Sequence, residues 1–351
     1  MHQRTPPFGN VENADIVFGL TWGDEGKGKV TAALTKERQY DFVCRWGGGN
    51  NAGHTVHVDG RKFVTHMVPS GVFYGIPSIV GPGCVLDPVS FQQEIDELRA
   101  GGFDMSLVKV DPRCHIVTPE HRAWEARGTY AADLGTTKRG IGPAYADKAF
   151  RTGLRAENVP SLEPYLLREP VRGTILCEGA QGIWLDLDWG AYPYVTSSTT
   201  APHGACSIGF SVRAIRDIIG IAKAYDTRVG MDPGFPEGLN SDPERLRLQK
   251  AGGEFGATTG RARKCDWLDL DALVKAVRLS GTSHVIINKV DILSVVGLFR
   301  YQWEGKLYSL DNLPEWEASV ADILETYAGN PKVMFSRSPE FLDPIGPPTR
   351  A

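Results

Sequence analysis

Apolar residues recur along the chain in short runs that end in glycine-rich or polar turns: "ADIVFGL", "YDFVCRWGGGNN", "SIVGPGCVL", "VRGTILCEGAQG", "IIGIAKAY" and "SHVIINKVDIL". Runs of this length, rich in β-branched residues and bounded by turn formers, predict buried strands. Between several of them the spacing turns helical, as in "VTAALTKE", "VSFQQEIDELRAGG" and "LDLDALVKAVRLSG". Strands alternating with helices predict an α/β fold on a mostly parallel sheet, with ligands gathered at the C-terminal strand edge. No internal repeat or low-complexity tract breaks this pattern. The expected organisation is a loose polar leader over 1–13, one elaborated domain over 14–343 and an extended tail over 344–351.

Composition narrows the function. The chain has 351 residues, 42% hydrophobic and 23% charged, enough for one large core. A formal net charge of -4 and the absence of a long basic run exclude the broad positive field that nucleic-acid binders use. Six cysteines without a C-x-x-C pair point to buried reduced thiols rather than a disulfide frame or zinc site. No segment reads as a signal core or a membrane span, so the expected location is the cytoplasm.

The candidate chemistry hangs after the strands. In "GLTWGDEGKGKV", Gly23 to Lys29 fits the phosphate-loop spacing G-x-x-x-x-G-K, but Val30 stands where that motif has Ser or Thr for Mg2+. Gly23, Gly26 and Gly28 let backbone N–H groups approach phosphate oxygens, and Lys27 and Lys29 add charge. Asp24 is a carboxylate beside a phosphate site, suited to hold Mg2+ or to take a proton. The glycine- and asparagine-rich loop "RWGGGNNAGHTVHVDG" carries His54 off any apolar face, which favours a catalytic over a structural histidine. "NKVD", Asn288 to Asp291, matches the guanine-binding pattern N-K-x-D, in which Asp291 accepts base N–H groups and Lys289 packs on the ring. In "EFGATTGRARKCDW", Arg261 and Arg263 follow Thr258 and Thr259 in an expected extended loop. Paired guanidinium groups there suit a dicarboxylate or phosphate.

Taken in order, "WGDEGKGK", "NNAGHT", "TTKRGIGPAYADK", "EGAQGIWLDLDWGAYPYVTSS", "KAYDTRVG", "EFGATTGRARK" and "NKVDIL" resemble the adenylosuccinate synthetase family, from about Ile16 to Pro339. The resemblance implies a homodimer that joins L-aspartate to C6 of a 6-oxopurine nucleoside monophosphate, using a nucleoside triphosphate and Mg2+. It implies that Asp24 removes the N1 proton as the γ-phosphoryl group moves to O6, with His54 assisting and Lys27 on the phosphoryl group. Asp24 and the Gly53 carbonyl would ligand Mg2+. Asn51, Thr137, Gln181 and Thr196 match monophosphate contacts, with Arg151 contributed by the partner subunit. Thr258, Thr259, Arg261 and Arg263 match the aspartate pocket. Gly23, Glu25, Gly26, Lys27, Gly28, Lys29, Lys289, Asp291, Ser336, Ser338 and Pro339 match triphosphate contacts. The carboxylate in the loop then has a reason: N1 and O6 are adjacent atoms of one ring, so the base must sit beside the phosphates.

Several stretches depart from the family. The segment between "RTGLR" and "TILCEG" is short, Gly47 replaces a larger side chain, Lys138 interrupts "TTGRGIGPAY", "VGMDPGFPEG" replaces "VGxGPFPTE", and "SRSPE" replaces "STGPD". These changes resemble the phage branch that uses dGMP or GMP and makes a 2-aminoadenylosuccinate. Gly47 would make room for an extra amine, Asp232 would accept a hydrogen bond from that amine or from a sugar hydroxyl, and Ser338 would narrow the base pocket toward ATP or dATP in place of GTP. The expected substrate is therefore dGMP or GMP, in a host cytoplasm if a phage encodes the chain. The alternative is IMP, which the retained Asp24 favours. A regulatory GTP-binding switch and a catalytically dead homologue are alternatives of another class. The first leaves "EGAQG" and "GATTGRAR" unexplained, and intact Asp24, Lys27, His54 and Arg261 oppose the second.

Overall fold

Eight parallel strands form the central sheet of the protein, described here by a computed structural model. In chain order they are β1 (Val11–Gly19), β2 (Phe42–Arg45), β3 (Ser78–Val80), β4 (Val108–Val110), β5 (Gly173–Glu178), β6 (Ile215–Lys223), β7 (His284–Asn288) and β8 (Lys332–Phe335). Their order across the sheet is β8-β7-β6-β1-β5-β2-β3-β4, every pairing parallel. The structure describes residues 9–349 except 59, 128, 236–241, 257–259 and 339–341. Of the expected leader, residues 1–8 therefore lie outside the description, and β1 begins at Val11, inside that stretch.

The apolar runs become strands because both faces of the sheet are covered, so both sets of alternating side chains are buried. Ala14, Ile16, Val17 and Phe18 in β1 have no exposed surface, and neither does Asp15, whose carboxylate is held by Arg38, Arg216 and Tyr40. Helices return the chain between strands: α1 (Lys27–Glu37), α2 (Pro88–Ala100), α3 (Ile141–Phe150), α4 (Leu270–Ser280), α5 (Val290–Val296) and α6 (Leu313–Tyr327). Their starts are written locally. Asp87 accepts from the Val89 and Ser90 amides with Pro88 at the first helical position, and Asp269 accepts from Ala272.

Two smaller units flank the sheet. The hairpin His54–Val58 with Arg61–Thr65 packs over α1, and a four-stranded sheet joins Tyr225–Arg228, Lys264–Asp269, Phe299–Trp303 and Lys306–Leu310. The expected extended loop after Phe255 thus ends at Lys264, which pairs with Arg228 in a strand. The six cysteines are all free and five are buried. No helix among the described residues is long and apolar enough to cross a membrane.

Candidate active site

The loops leaving the C-terminal ends of β1, β2, β5, β6 and β7 converge on one cavity of about 660 Å³. This is where a doubly wound sheet offers a crevice. The loop after β1 carries it. Gly26 caps α1 with φ at 91° and no side-chain cap, so the N-terminus of this 11-residue helix is open to an anion. Glu25 braces the loop from inside: its carboxylate accepts from the Gly23 amide at 2.7 Å, the Thr21 hydroxyl at 3.1 Å and Lys27 Nζ at 2.6 Å. Glu25, expected among the triphosphate contacts, has its carboxylate turned into the loop and outside the cavity lining. That carboxylate is buried under the loop and spent on holding its shape.

Asp24 stands the other way, in the left-handed region at φ 60°, with its side chain 40% exposed. Its Oδ2 lies 2.9 Å from Arg263 Nε, and Arg263 Nη1 lies 2.6 Å from the buried Glu254. Burial opposes the charge of Arg263, but Asp24 and Glu254 outweigh it and raise its pKa. The cavity wall next to Asp24 is thus a fixed cation.

His54 opens the hairpin and is held at both ring nitrogens, with Nδ1 2.6 Å from Glu178 Oε1 and Nε2 2.6 Å from Arg45 Nη2. Arginine only donates, so Nε2 accepts and the ring proton sits on Nδ1 toward Glu178. Burial, aided by Arg45 and opposed by Glu178, lowers the His54 pKa to about 4. The ring is neutral at neutral pH.

The cavity also gathers Gly23, Gly26, Lys27, Gly28, Asn51, Gly53, Thr137, Gln181, Thr196, Arg261 and Lys289, as the motifs anticipate. Asn51 Oδ1 and Gln181 Oε1, on two cavity-lining residues, are buried without a hydrogen-bond partner among the described residues. Lys29, Asp291, Ser336 and Ser338 lie outside the cavity lining but close to one another. Lys29 Nζ donates to Ser336 Oγ at 2.6 Å and to the Ser338 carbonyl at 2.9 Å, and Asn288 Nδ2 donates to the Glu25 carbonyl at 2.6 Å. The base-site motif and the phosphate loop are therefore physically joined. Burial lowers the Lys29 pKa to about 8, with Asp291 opposing. Arg151, at the end of α3, is exposed and away from the cavity. Thr258, Thr259 and Pro339 lie outside the described residues.

A family model described as adenylosuccinate synthetase matches residues 16–172 and 163–331. The chain belongs to the adenylosuccinate synthetase family. The adenylosuccinate synthetase of Helicobacter hepaticus is 37% identical over 377 residues, covering 90% of this chain and 88% of the relative. That of Halothermothrix orenii is 40% identical, covering 80% and 77%. Among solved structures, the fully ligated adenylosuccinate synthetase of Plasmodium falciparum superposes with a TM-score of 0.78 at 26% identity, over 94% of this chain and 98% of that one. The succinoaminodeoxyadenylate synthetase of cyanophage S-2L, bound to dGMP and dATP, gives 0.70 at 22% identity over 94% of each chain, a likeness of fold.

The described positions read above as departures from the family pattern, Gly47, Lys138, Asp232 and Ser338, do not line the cavity. Val229, Gly230 and Met231, which still fit the family's V-G-x after Arg228, do line it. Gly47 does not, and a Cβ there would meet the Thr199 carbonyl at 3.2 Å. Asp232 is buried with its carboxylate 3.2 Å from Arg228 Nε, so the expected free acceptor is already engaged. Sequence reasoning missed Arg45, Glu178 and Glu254. Arg45 and Glu178 end apolar strand runs, a signal that marks a buried charge without naming its partner, whereas Glu254 sits in a glycine-rich turn that reads as solvated loop.

Proposed function

We propose that this adenylosuccinate synthetase uses IMP, joining L-aspartate to C6 at the expense of GTP. The observation that carries the reading is Asp24, an exposed carboxylate in a phosphate loop, set in one cavity with Lys27 and Arg263. The O6 atom is a poor leaving group, so the γ-phosphoryl group first moves to it while Asp24 takes the proton from N1. The amine of aspartate then forms the new C6–N bond, and O6 leaves with the phosphate. Lys27 holds charge at the phosphoryl group, and Arg261 and Arg263 take the aspartate carboxylates by forked hydrogen bonds. An aspartate carboxylate arriving at Arg263 competes with Asp24 for it and so releases the base. His54 assists at Nε2 once Arg45 is displaced, the ring changing tautomer so that Nε2 carries the proton and donates to the substrate.

Mg2+ fits this site in the manner of a phosphate-borne ion. No cluster of three or more His, Cys, Asp or Glu among the described residues would hold a metal alone, whereas one exposed carboxylate, Asp24, with the Gly53 carbonyl suits an ion whose other ligands are phosphates and water. When bound, it neutralises charge on the transferring phosphoryl group. Lys289 and Asp291 support GTP as the donor over ATP or dATP. The enzyme would act as one domain over 14–343 and as a homodimer to which Arg151 contributes across the interface, in the cytoplasm.

The curated relatives, adenylosuccinate synthetases at 36% to 40% identity, support IMP over the guanine nucleotides. The second reading, dGMP or GMP on the phage branch, rests on the departures in sequence alone: Gly230 and Met231 border the cavity, but both fit the family's V-G-x, and the departure begins at Asp232. Purified protein with aspartate and Mg2+, crossed with IMP, GMP and dGMP against GTP, ATP and dATP, decides between them when the succinylated product is weighed. Product from IMP with little from dGMP is expected. Turnover of dGMP or GMP in preference to IMP overturns the assignment of the substrate, and triphosphate hydrolysis that ignores aspartate overturns the ligase reading.

A further inference from the structure

Behind the cavity wall, Glu254 is completely buried and collects four donors on two oxygens. Oε1 accepts from Tyr225 Oη at 2.7 Å and Lys289 Nζ at 2.5 Å, and Oε2 from Arg263 Nη1 at 2.6 Å, with Lys223 Nζ at 3.4 Å. Burial alone would raise the pKa of this carboxyl, but Lys223, Lys289 and Arg263 hold it far below the ordinary range. One anion thus faces three cations. Two of those cations line the cavity, at opposite ends of the proposed chemistry: Lys289 from the base-site motif and Arg263 from the aspartate pocket, itself 2.9 Å from Asp24.

We propose that Glu254 is a positioning residue that couples the aspartate pocket to the triphosphate's base site, by holding Arg263 and Lys289 on its two oxygens. The inference rests on the ligase reading given above. Among the described residues neither cation has an equivalent anchor: the other contact of Lys289 Nζ is the Gly252 carbonyl at 2.8 Å, and that of the Arg263 guanidinium is Asp24. Losing the anion leaves Lys223 buried without its counter-charge, lets Lys289 drift and throws Arg263 onto Asp24. Because Arg263 and Lys289 share one anchor, a ligand that orders either of them orders the other, and by linkage the effect is reciprocal.

Steady-state kinetics on the full chain test this, after the wild type has shown aspartate-dependent turnover; its failure to do so would sink the ligase reading and not the role of Glu254. In E254Q the amide keeps the shape but turns a donor toward Arg263. KM for aspartate is expected to rise about tenfold and KM for the triphosphate severalfold, while KM for the monophosphate stays within twofold. A fall in kcat with both of those KM values unchanged would mean a merely structural carboxylate and overturn the proposal. Should E254Q fail to fold, R263K is read instead. A simple aspartate contact would move the aspartate KM alone, and that result overturns the coupling; a parallel rise in the triphosphate KM supports it, and E254D is expected to lie between E254Q and wild type in both.

Discussion

Two carboxylates adjacent in sequence, Asp24 and Glu25, do opposite work because one points out and the other in. Glu25 is 1% exposed and cements the loop, whereas Asp24 faces the cavity, with Arg263 as its ion-pair partner among the described residues. Asp24→Ala should therefore cost little stability, under about 1 kcal/mol for a partly exposed ion pair, while lowering turnover by a factor of at least about 100 to 10,000 for loss of a general base. Circular dichroism and product formation on one preparation check both halves, and appreciable remaining turnover would remove Asp24 from its role. His54 gives the pH dependence. Its pKa is lowered to about 4 from an ordinary 6.5, so the unfolded chain binds the proton more readily and stability falls as pH drops from about 6.5 toward 4. His66 shifts the same way through burial and nearby cations, whereas Glu178, held at about 2, matters only below about 4.5. Urea titrations at pH 7.5 and 5 should show a loss of the order of 1–2 kcal/mol that is smaller in His54→Gln. An equal loss in the variant would assign the slope to other groups.

At the level of elements, the site depends on how closely two loops meet. A Cβ on Gly182, in the loop after β5, would lie 2.3 Å from the Thr21 carbonyl and 2.6 Å from both Glu25 Oε1 and the Gly23 amide. Backbone and a braced carboxylate cannot move aside, so Gly182→Ala should push the phosphate loop off its seat. A destabilisation of about 1–3 kcal/mol is expected, together with a several-fold weaker triphosphate affinity measured by calorimetry. Unchanged affinity would show that the loop tolerates the shift. The contact itself was not legible in the sequence, although the elements were. The strands read as apolar runs because sheet faces covered on both sides need no alternation, and the phosphate loop declared itself through Gly23, Gly26, Lys27 and Gly28. Arg45, Glu178 and Glu254 did not, since each acquires meaning from partners on other elements, from nine to more than a hundred residues away. The strand Lys264–Asp269 read as loop because charged Lys264, Asp266 and Asp269 mask a segment that pairs with Tyr225–Arg228.

Across the whole molecule the two edges of the sheet are divided between chemistry and fastening. The C-terminal edge holds the cavity, and the opposite edge holds a buried charge network on which residues 344–349 of the expected tail are seated. Ile345 has no exposed surface, its amide donates to Glu37 at 2.9 Å, and the Gly346 carbonyl accepts from Arg38 at 2.9 Å. Arg38 in turn bridges Asp15 and Asp217 at 2.8 Å each, and Asp217 accepts from the Thr349 amide at 3.1 Å. Ending the chain after Asp343 would uncover the Ile345 site and leave Glu37 and Asp217 short of donors. Burying one isoleucine is worth about 1.5–3 kcal/mol, so a loss of about 2–4 kcal/mol in a urea titration is expected once the stranded acceptors are included. Because the network lies at the strand ends away from the cavity, kcat and KM of the truncated enzyme should stay within about twofold when referred to folded protein. A fall in kcat/KM with stability intact would place the segment in the catalytic cycle instead.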